Sequence, residues 1–340
     1  MRLLAFADLT EAERRRFLEV VSEDGLSPAF TNATEMESYL TGPAFEMGST
    51  YVTFWDAEVL ACCAGVVVRE IAVKGEAFLT MLHVFARDAD AALALLLQEA
   101  YAIIRRFGGA DGKTAVKIGF RANDHRLQHA LERAGGRPAY RILDMVRSLE
   151  EALPAGEELQ FRELTSDNLM DYLNVHNAAF LHSPNGAQMT PTELEEMCQE
   201  AGSSKFLQVG YAGETPAAVL EVDVRGEIGQ IQAIGVAPAF QRRGLGRAAL
   251  ARALQVVAEG GAQRAHLQVV DVNTPAVELY RASGFLVDQV LSTWYDGPTL
   301  VRFAESSRGE ASPLSEEVHN AEREEHFRED EEGKNAGRSQ

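Results

Sequence analysis

The chain has 340 residues, 46% hydrophobic and 24% charged, with a net charge of −19, which is room for two ordinary domains and the profile of a soluble globular protein. Its negative field repels nucleic acid and attracts cations, and without a run of eighteen apolar residues no membrane helix is expected. Three cysteines, Cys62, Cys63 and Cys198, suit neither a disulfide framework nor a metal site and point to a reducing, cytoplasmic compartment.

Met1 to Leu9 carries Asp8 and too short an apolar stretch for a secretory leader. Phe6 to Thr10 reads as a short strand ending in a cap, with Thr10 and Glu13 as a capping box for an amphipathic helix. The same plan returns 155 residues later. Phe161 to Thr165 repeats the opening, and Phe17, Leu18 and Val20 fall on Tyr172, Leu173 and Val175. Tyr51 to Phe54 falls on Phe206 to Val209, and Cys62 to Val68 on Ala217 to Asp223, each a strand, a turn and a second strand. Each copy nears its end with an Asn, a helix and a Gly: Asn123 to Gly135, and Asn273 to Gly284. Two tandem copies of one α/β plan follow, residues 1–152 and 158–303, divided where Pro154 and Gly156 interrupt a charged stretch. The tail, 304–340, holds eleven acidic against five basic residues and few apolar ones, which predicts disorder.

In the second copy Ala218 to Val224 alternates, with Leu220, Val222 and Val224 on one face and Glu221 and Asp223 on the other. Gly226-Glu227 fits a two-residue hairpin turn. That register sets Glu221 opposite Gln232 and Asp223 opposite Gln230. Ile231 to Val236 is then an apolar strand. The loop Gln241-Arg242-Arg243-Gly244-Leu245-Gly246-Arg247 follows and opens a helix with Leu245, Ala249, Ala253 and Val256 at helical spacing. Its glycines allow close approach of a ligand, and amides at a helix start flanked by three arginines form an anion site sized for a diphosphate. No Lys-Ser or Lys-Thr follows, so it is not a nucleotide P-loop. A second strand runs from His266 to Asp271. Asn273 or Thr274 caps the helix after it, Gly284 stops that helix, and Phe285 begins the next strand.

The run Gln-x-x-Gly-x-Gly after Val-x-Pro resembles motif A of the GNAT superfamily, and His266 to Phe285 resembles its motif B. The resemblance implies an α/β, mixed-sheet fold of two tandem GNAT-like domains, the second an acetyl-CoA-dependent N-acetyltransferase. It implies that the strands of the two motifs splay to admit the pantetheine arm. It assigns cofactor binding to Ile234, Val236, Gln241, Arg242, Arg243, Gly244, Leu245, Gly246, Arg247, Asn273 and Tyr280. It also assigns Tyr280 to protonating the departing thiolate, a task a phenol can perform. Many members carry a basic Glu where this chain has Gln230, and an amide accepts no proton. Glu221 and Asp223 are therefore the candidate proton acceptors, with His176 and His182 beside them, in direct transfer from acetyl-CoA to a small-molecule amine.

No metal, nucleic acid or membrane is expected in that reaction, and the chain is expected to be a monomer or homodimer. The tandem layout and the segment His176 to Pro184 also resemble mycothiol synthase, and a peptide or protein acceptor and a non-catalytic acyl-CoA-binding protein are further alternatives. The first copy has no glycine loop at Phe85 to Asp90. It carries Val66 and Val68 at the 155-residue offset from Glu221 and Asp223, and Ala130 or Leu131 for Tyr280. It reads as a degenerate domain.

Overall fold

The computed structural model describes residues 1–23, 32–108, 114–150, 159–200 and 204–297. The chain divides into two compact units, one of Met1–Pro138 with the described residues from Tyr295 to Gly297, the other of Ala139–Trp294. The linker expected around Pro154 and the tail expected from 304 lie outside the described residues. Among the described residues no helix is long and apolar enough to cross a membrane.

The first unit begins with β1 (Arg2–Ala5), a 3₁₀ turn at Phe6–Asp8 and α1 (Glu11–Glu23). The strand expected at Phe6 thus ends one residue before it, because Phe6 turns its ring into the core against Phe17 and Tyr51. The capping box is present: Thr10 N donates to Glu13 Oε2 at 2.9 Å, and Glu13 N donates to Thr10 Oγ1 at 3.3 Å. The helix α2 (Ala33–Leu40), the strands β2 (Tyr51–Asp56) and β3 (Val59–Val67), the short helix α3 (Ile71–Lys74) and β4 (Glu76–Val84) follow. The unit continues with α4 (Ala89–Arg106), β5 (Ala115–Arg121) and α5 (His125–Arg133). The strands β1 to β4 pair antiparallel in sequence order, and β4 pairs β5 in parallel.

The second unit repeats this order. It has β7 (Gln160–Glu163), α6 (Leu169–Phe180), α7 (Pro191–Glu200), β8 (Lys205–Ala212), β9 (Thr215–Arg225) and β10 (Ile228–Val236). After these come α8 (Leu245–Glu259), β11 (Arg264–Val270), α9 (Thr274–Ala282) and β12 (Leu286–Asp296), the last crossing into the first unit at Tyr295. The strands β7 to β10 pair antiparallel, and β10 pairs β11 in parallel. One strand comes from earlier in the chain: β6 (Arg137–Ser148) lines the other side of β11, antiparallel along its whole length.

Two layers cover the second unit's sheet. Leu220, Val222 and Val224 of β9, with Ile231, Ala265 and Leu267, pack against Leu250, Leu254 and Val257 of α8. Each of the Val, Leu and Ile side chains contributes about 1.5–3 kcal/mol on burial. Gly229 lets α8 come this close, since a Cβ there would lie 2.2 Å from Val257 Cγ1. On the opposite face α6 and α7 bury Tyr172, Leu173 and Leu194 against Leu207, Val209 and Val219.

Candidate active site

The parallel pairing of β10 with β11 covers only Ile228 to Ile231 against Arg264 to Leu267. Beyond Ile231 the two strands part, while β10 keeps its antiparallel pairing with β9 as far as Val236. One edge of β10, including Ile234 and Val236, is therefore open just before the glycine loop. This is the splay expected of the two motifs.

The loop is shaped for an anion. Gly244 sits at φ +82°, Arg242 also takes a left-handed φ of +58°, and Gln241 Nε2 donates to the carbonyl of Val236 at 3.0 Å, tying the loop to the strand end. The amides from Arg242 to Gly246 take no hydrogen-bond partner among the described residues, and no side chain caps α8. These amides lie at the positive end of a fifteen-residue helix, with Arg242, Arg243 and Arg247 exposed around them. A Cβ on Gly246 would touch Leu279 of α9 at 3.5 Å, and one on Gly244 would meet nothing. The residues present thus fit a diphosphate.

On α9, Asn273 is the cap, its Oδ1 accepting from Ala276 N at 3.4 Å. Tyr280, one face down that helix, packs on Phe285 with ring centroids 5.9 Å apart. Burial pushes its phenol up to about 12, so it holds its proton throughout the neutral range, and its hydroxyl takes no partner among the described residues.

The polar face of the sheet is assembled by register. Arg225 pairs Ile228, Val224 pairs Gly229, Asp223 pairs Gln230 and Val222 pairs Ile231, as the turn requires, but a bulge then shifts the ladder and Glu221 faces Ala233. The expected Glu221–Gln232 pair does not form, because the extra residue of the bulge is Gln232 itself. Nor is this face open to solvent as an ordinary sheet surface: α6 lies over it. Glu221 is ion-paired to Lys205 Nζ at 3.1 Å and lies within electrostatic reach of Tyr172 and His176. Burial lowers the basicity of His176, only partly offset by Asn177 and Glu221, and its ring stacks on Tyr172 and packs tilted against Phe180. Asp223 Oδ2 meets Arg225 Nη2 at 2.8 Å, while its Oδ1 is buried with no partner among the described residues, as is the Tyr172 hydroxyl. His182 is exposed in the loop beyond α6. Lys205 carries no motif, and only the strand register reveals it. The structure thus brings His176 to Glu221 and leaves His182 apart.

The first unit keeps the frame without the chemistry. Its β4–β5 pairing also stops early, at Leu79 with Ile118. At the corresponding loop Asp88 fills the helix start itself, its Oδ1 accepting from Ala91 N at 3.0 Å, and Asp90 is bridged by Arg133 at 2.7 Å. Counting from these pair ends, Val66 opposes Leu79 as Val222 opposes Ile231. The 155-residue offset is therefore one residue out on this strand. Val66 and Val68 lie on the α4-facing core side, and the counterparts of Glu221 and Asp223 are Gly65 and Val67. A one-residue slip exchanges the faces of a strand. The Phe45 ring covers Gly65, where a Cβ would come 2.1 Å from Cε1. Counting from the helix caps, Asp124 and Asn273, places Leu131 at the position of Tyr280.

Among the described residues no group of His, Cys, Asp and Glu could hold a metal ion, and the three cysteines form no disulfide.

Residues 170–285 match the Acetyltransferase (GNAT) family. The mycothiol acetyltransferase of Clavibacter sepedonicus is 32% identical over 173 residues, 48% of this chain and 56% of that protein. The streptothricin acetyltransferase of Streptomyces lavendulae is 32% identical over 100 residues, 29% of this chain and 53% of that protein. The chain spans about half the length of these curated relatives. A GCN5-related N-acetyltransferase from Sphaerobacter thermophilus superposes with a TM-score of 0.62 at 19% identity, covering 88% of this chain and 97% of that one. A tandem GNAT protein from the clavulanic acid biosynthesis pathway superposes at 0.56 and 15% identity, covering 88% of this chain and all of the other. At these identities the superpositions speak to fold alone. The chain is a tandem arrangement of two GNAT folds, and its second half belongs to the GNAT acetyltransferase family.

Proposed function

We propose that the second unit transfers an acetyl group from acetyl-CoA to the amine of a small molecule, directly, with both substrates bound together. The observation that carries this reading is the open edge of β10 running into a loop of unpartnered amides. In it the amides from Arg242 to Gly246 hold the diphosphate and the arginines add charge. The free edge at Ile234 and Val236, with Asn273, holds the pantetheine arm. A backbone amide near Val236 polarises the thioester carbonyl, and Tyr280 gives its proton to the departing sulfur. The amine arrives as a cation on the polar face, drawn by Glu221 and Asp223, either of which is a route for its proton through a water. Each carboxylate already faces a cation, Lys205 or Arg225.

A narrower reading comes from the curated relatives, whose names favour an acceptor of the kind used by mycothiol acetyltransferases. Free-thiol release from acetyl-CoA, measured with mycothiol precursors, polyamines, aminoglycosides, amino acids and peptides, tests both readings. Release with one class of amine supports transfer. Saturable acetyl-CoA binding without release for any amine would favour a non-catalytic acyl-CoA-binding protein.

A further inference from the structure

Gln230 leaves the usual position of the base empty of a proton acceptor, and the strand beside it supplies one. In the sheet, Lys205 pairs Asp223, Asp223 pairs Gln230, Gln230 pairs His266 and His266 pairs Val146. Residues directly paired across strands project to one face, so the His266 imidazole stands next to the Gln230 amide on the face of Glu221 and Asp223. Behind it His266 Nδ1 lies 3.7 Å from Asp144 Oδ2 on β6. Gln289 donates to that same carboxylate, and Asp288 lies near it. The other imidazole nitrogen, Nε2, is buried and has no partner among the described residues, as is Asp223 Oδ1 on the far side of Gln230. Buried polar atoms are nearly always paired. Two orphans flanking one amide, on the face assigned to the acceptor, point to a ligand between them.

We propose that His266, oriented by Asp144, takes the proton from the acceptor amine, directly or through one water, while Gln230 and Asp223 hold the amine in place. This rests on the acetyltransferase reading above. The ammonium gives one proton to Nε2, and the freed lone pair forms the C–N bond. The C–S bond breaks with its electron pair on sulfur, which takes the Tyr280 proton. The second proton of the attacking nitrogen returns to Tyr280 through solvent, and His266 releases its own to solvent, so coenzyme A leaves as the thiol. The pair resembles a His–carboxylate arrangement in which the anion fixes the tautomer and orientation of the ring. The groups facing it are Asp144 on β6, Asp288 and Gln289 on β12, Gln230 on β10, and Asp223 with its Arg225 partner on β9.

The test uses the full chain and whichever of spermidine, kanamycin, glucosamine and L-lysine the wild type acetylates fastest. His266→Gln should lower kcat by roughly 10²-fold at neutral pH, leave the KM for acetyl-CoA unchanged, and regain rate as pH rises and solvent deprotonates the amine. Asp144→Asn, which keeps the shape and the Gln289 contact, should fold even if His266→Gln does not. It should lower kcat by roughly tenfold or more with the KM for acetyl-CoA unchanged, because the ring loses the partner that fixes its tautomer. A His266→Gln enzyme within about twofold of wild type with the same profile, or a wild-type kcat in Asp144→Asn, overturns the proposal while leaving acetyl transfer standing. A wild type that acetylates none of the four amines, nor any of the wider panel, overturns both.

Discussion

Gln230 stands directly across from Asp223 in the β9–β10 ladder, so an amide and a carboxylate share the face beside the open strand edge. Asp223→Asn and Glu221→Gln should each weaken a cationic amine by about tenfold or more in KM, the order expected for losing a charge-assisted contact. A carboxylate that only binds leaves kcat near wild type. One that relays the proton loses rate across the whole pH plateau. Steady-state kinetics with a charged amine and a neutral analogue separate the two roles, and unchanged KM values in both variants would remove the carboxylates from the acceptor site.

Tyr280→Phe keeps the ring on Phe285 and deletes only the donor. Turnover should fall by roughly 10²-fold, with little change in the KM for acetyl-CoA, because the lost interaction belongs to the transition state. Burial holds the phenol at about 12, so its removal should lower the rate evenly from pH 6 to 9 without adding or erasing an inflection in that range. Near-wild-type turnover at saturating acetyl-CoA would end the assignment.

Gly244→Glu places a carboxylate in the diphosphate position, where a Cβ itself meets nothing. Acetyl-CoA affinity by calorimetry should fall at least a hundredfold. Gly244→Ala, strained at φ +82° by roughly 1 kcal/mol, should bind with a smaller loss. Equal affinity in Gly244→Glu and wild type would move the diphosphate elsewhere.

Gly229→Ala drives a methyl group into Val257. Overpacking of this kind costs about 1–3 kcal/mol. Because α8 carries the loop at its start, the melting temperature and the acetyl-CoA affinity should fall together. A lower melting temperature with unchanged affinity would show that the loop is held independently of the β10–α8 contact.

The glycine loop, the helix caps and the tandem plan were legible because each rests on short-range chemistry: Gly244 at positive φ, Thr10 with Glu13, and Asn273 at the start of α9. The β9–β10 turn was legible for the same reason, and its register holds for four pairs before the bulge. The bulge at Gln232 was not, since it lies on the face where Ala179 and Phe180 of α6 close on Gly235, a tertiary contact that no local pattern announces. The repeat offset misled by one residue at Val66, enough to exchange faces. His266 and Asp144 were invisible as a pair because β6 joins β11 from more than a hundred residues away, a distance no local pattern spans.

The most direct test of acetyl transfer by the second unit is mass spectrometry of amines incubated with acetyl-labelled acetyl-CoA and either wild-type protein or Gly244→Glu. Labelled acetyl should appear on an amine with wild type and be lost with the variant. Label on no amine, or equal label with both proteins, would contradict it.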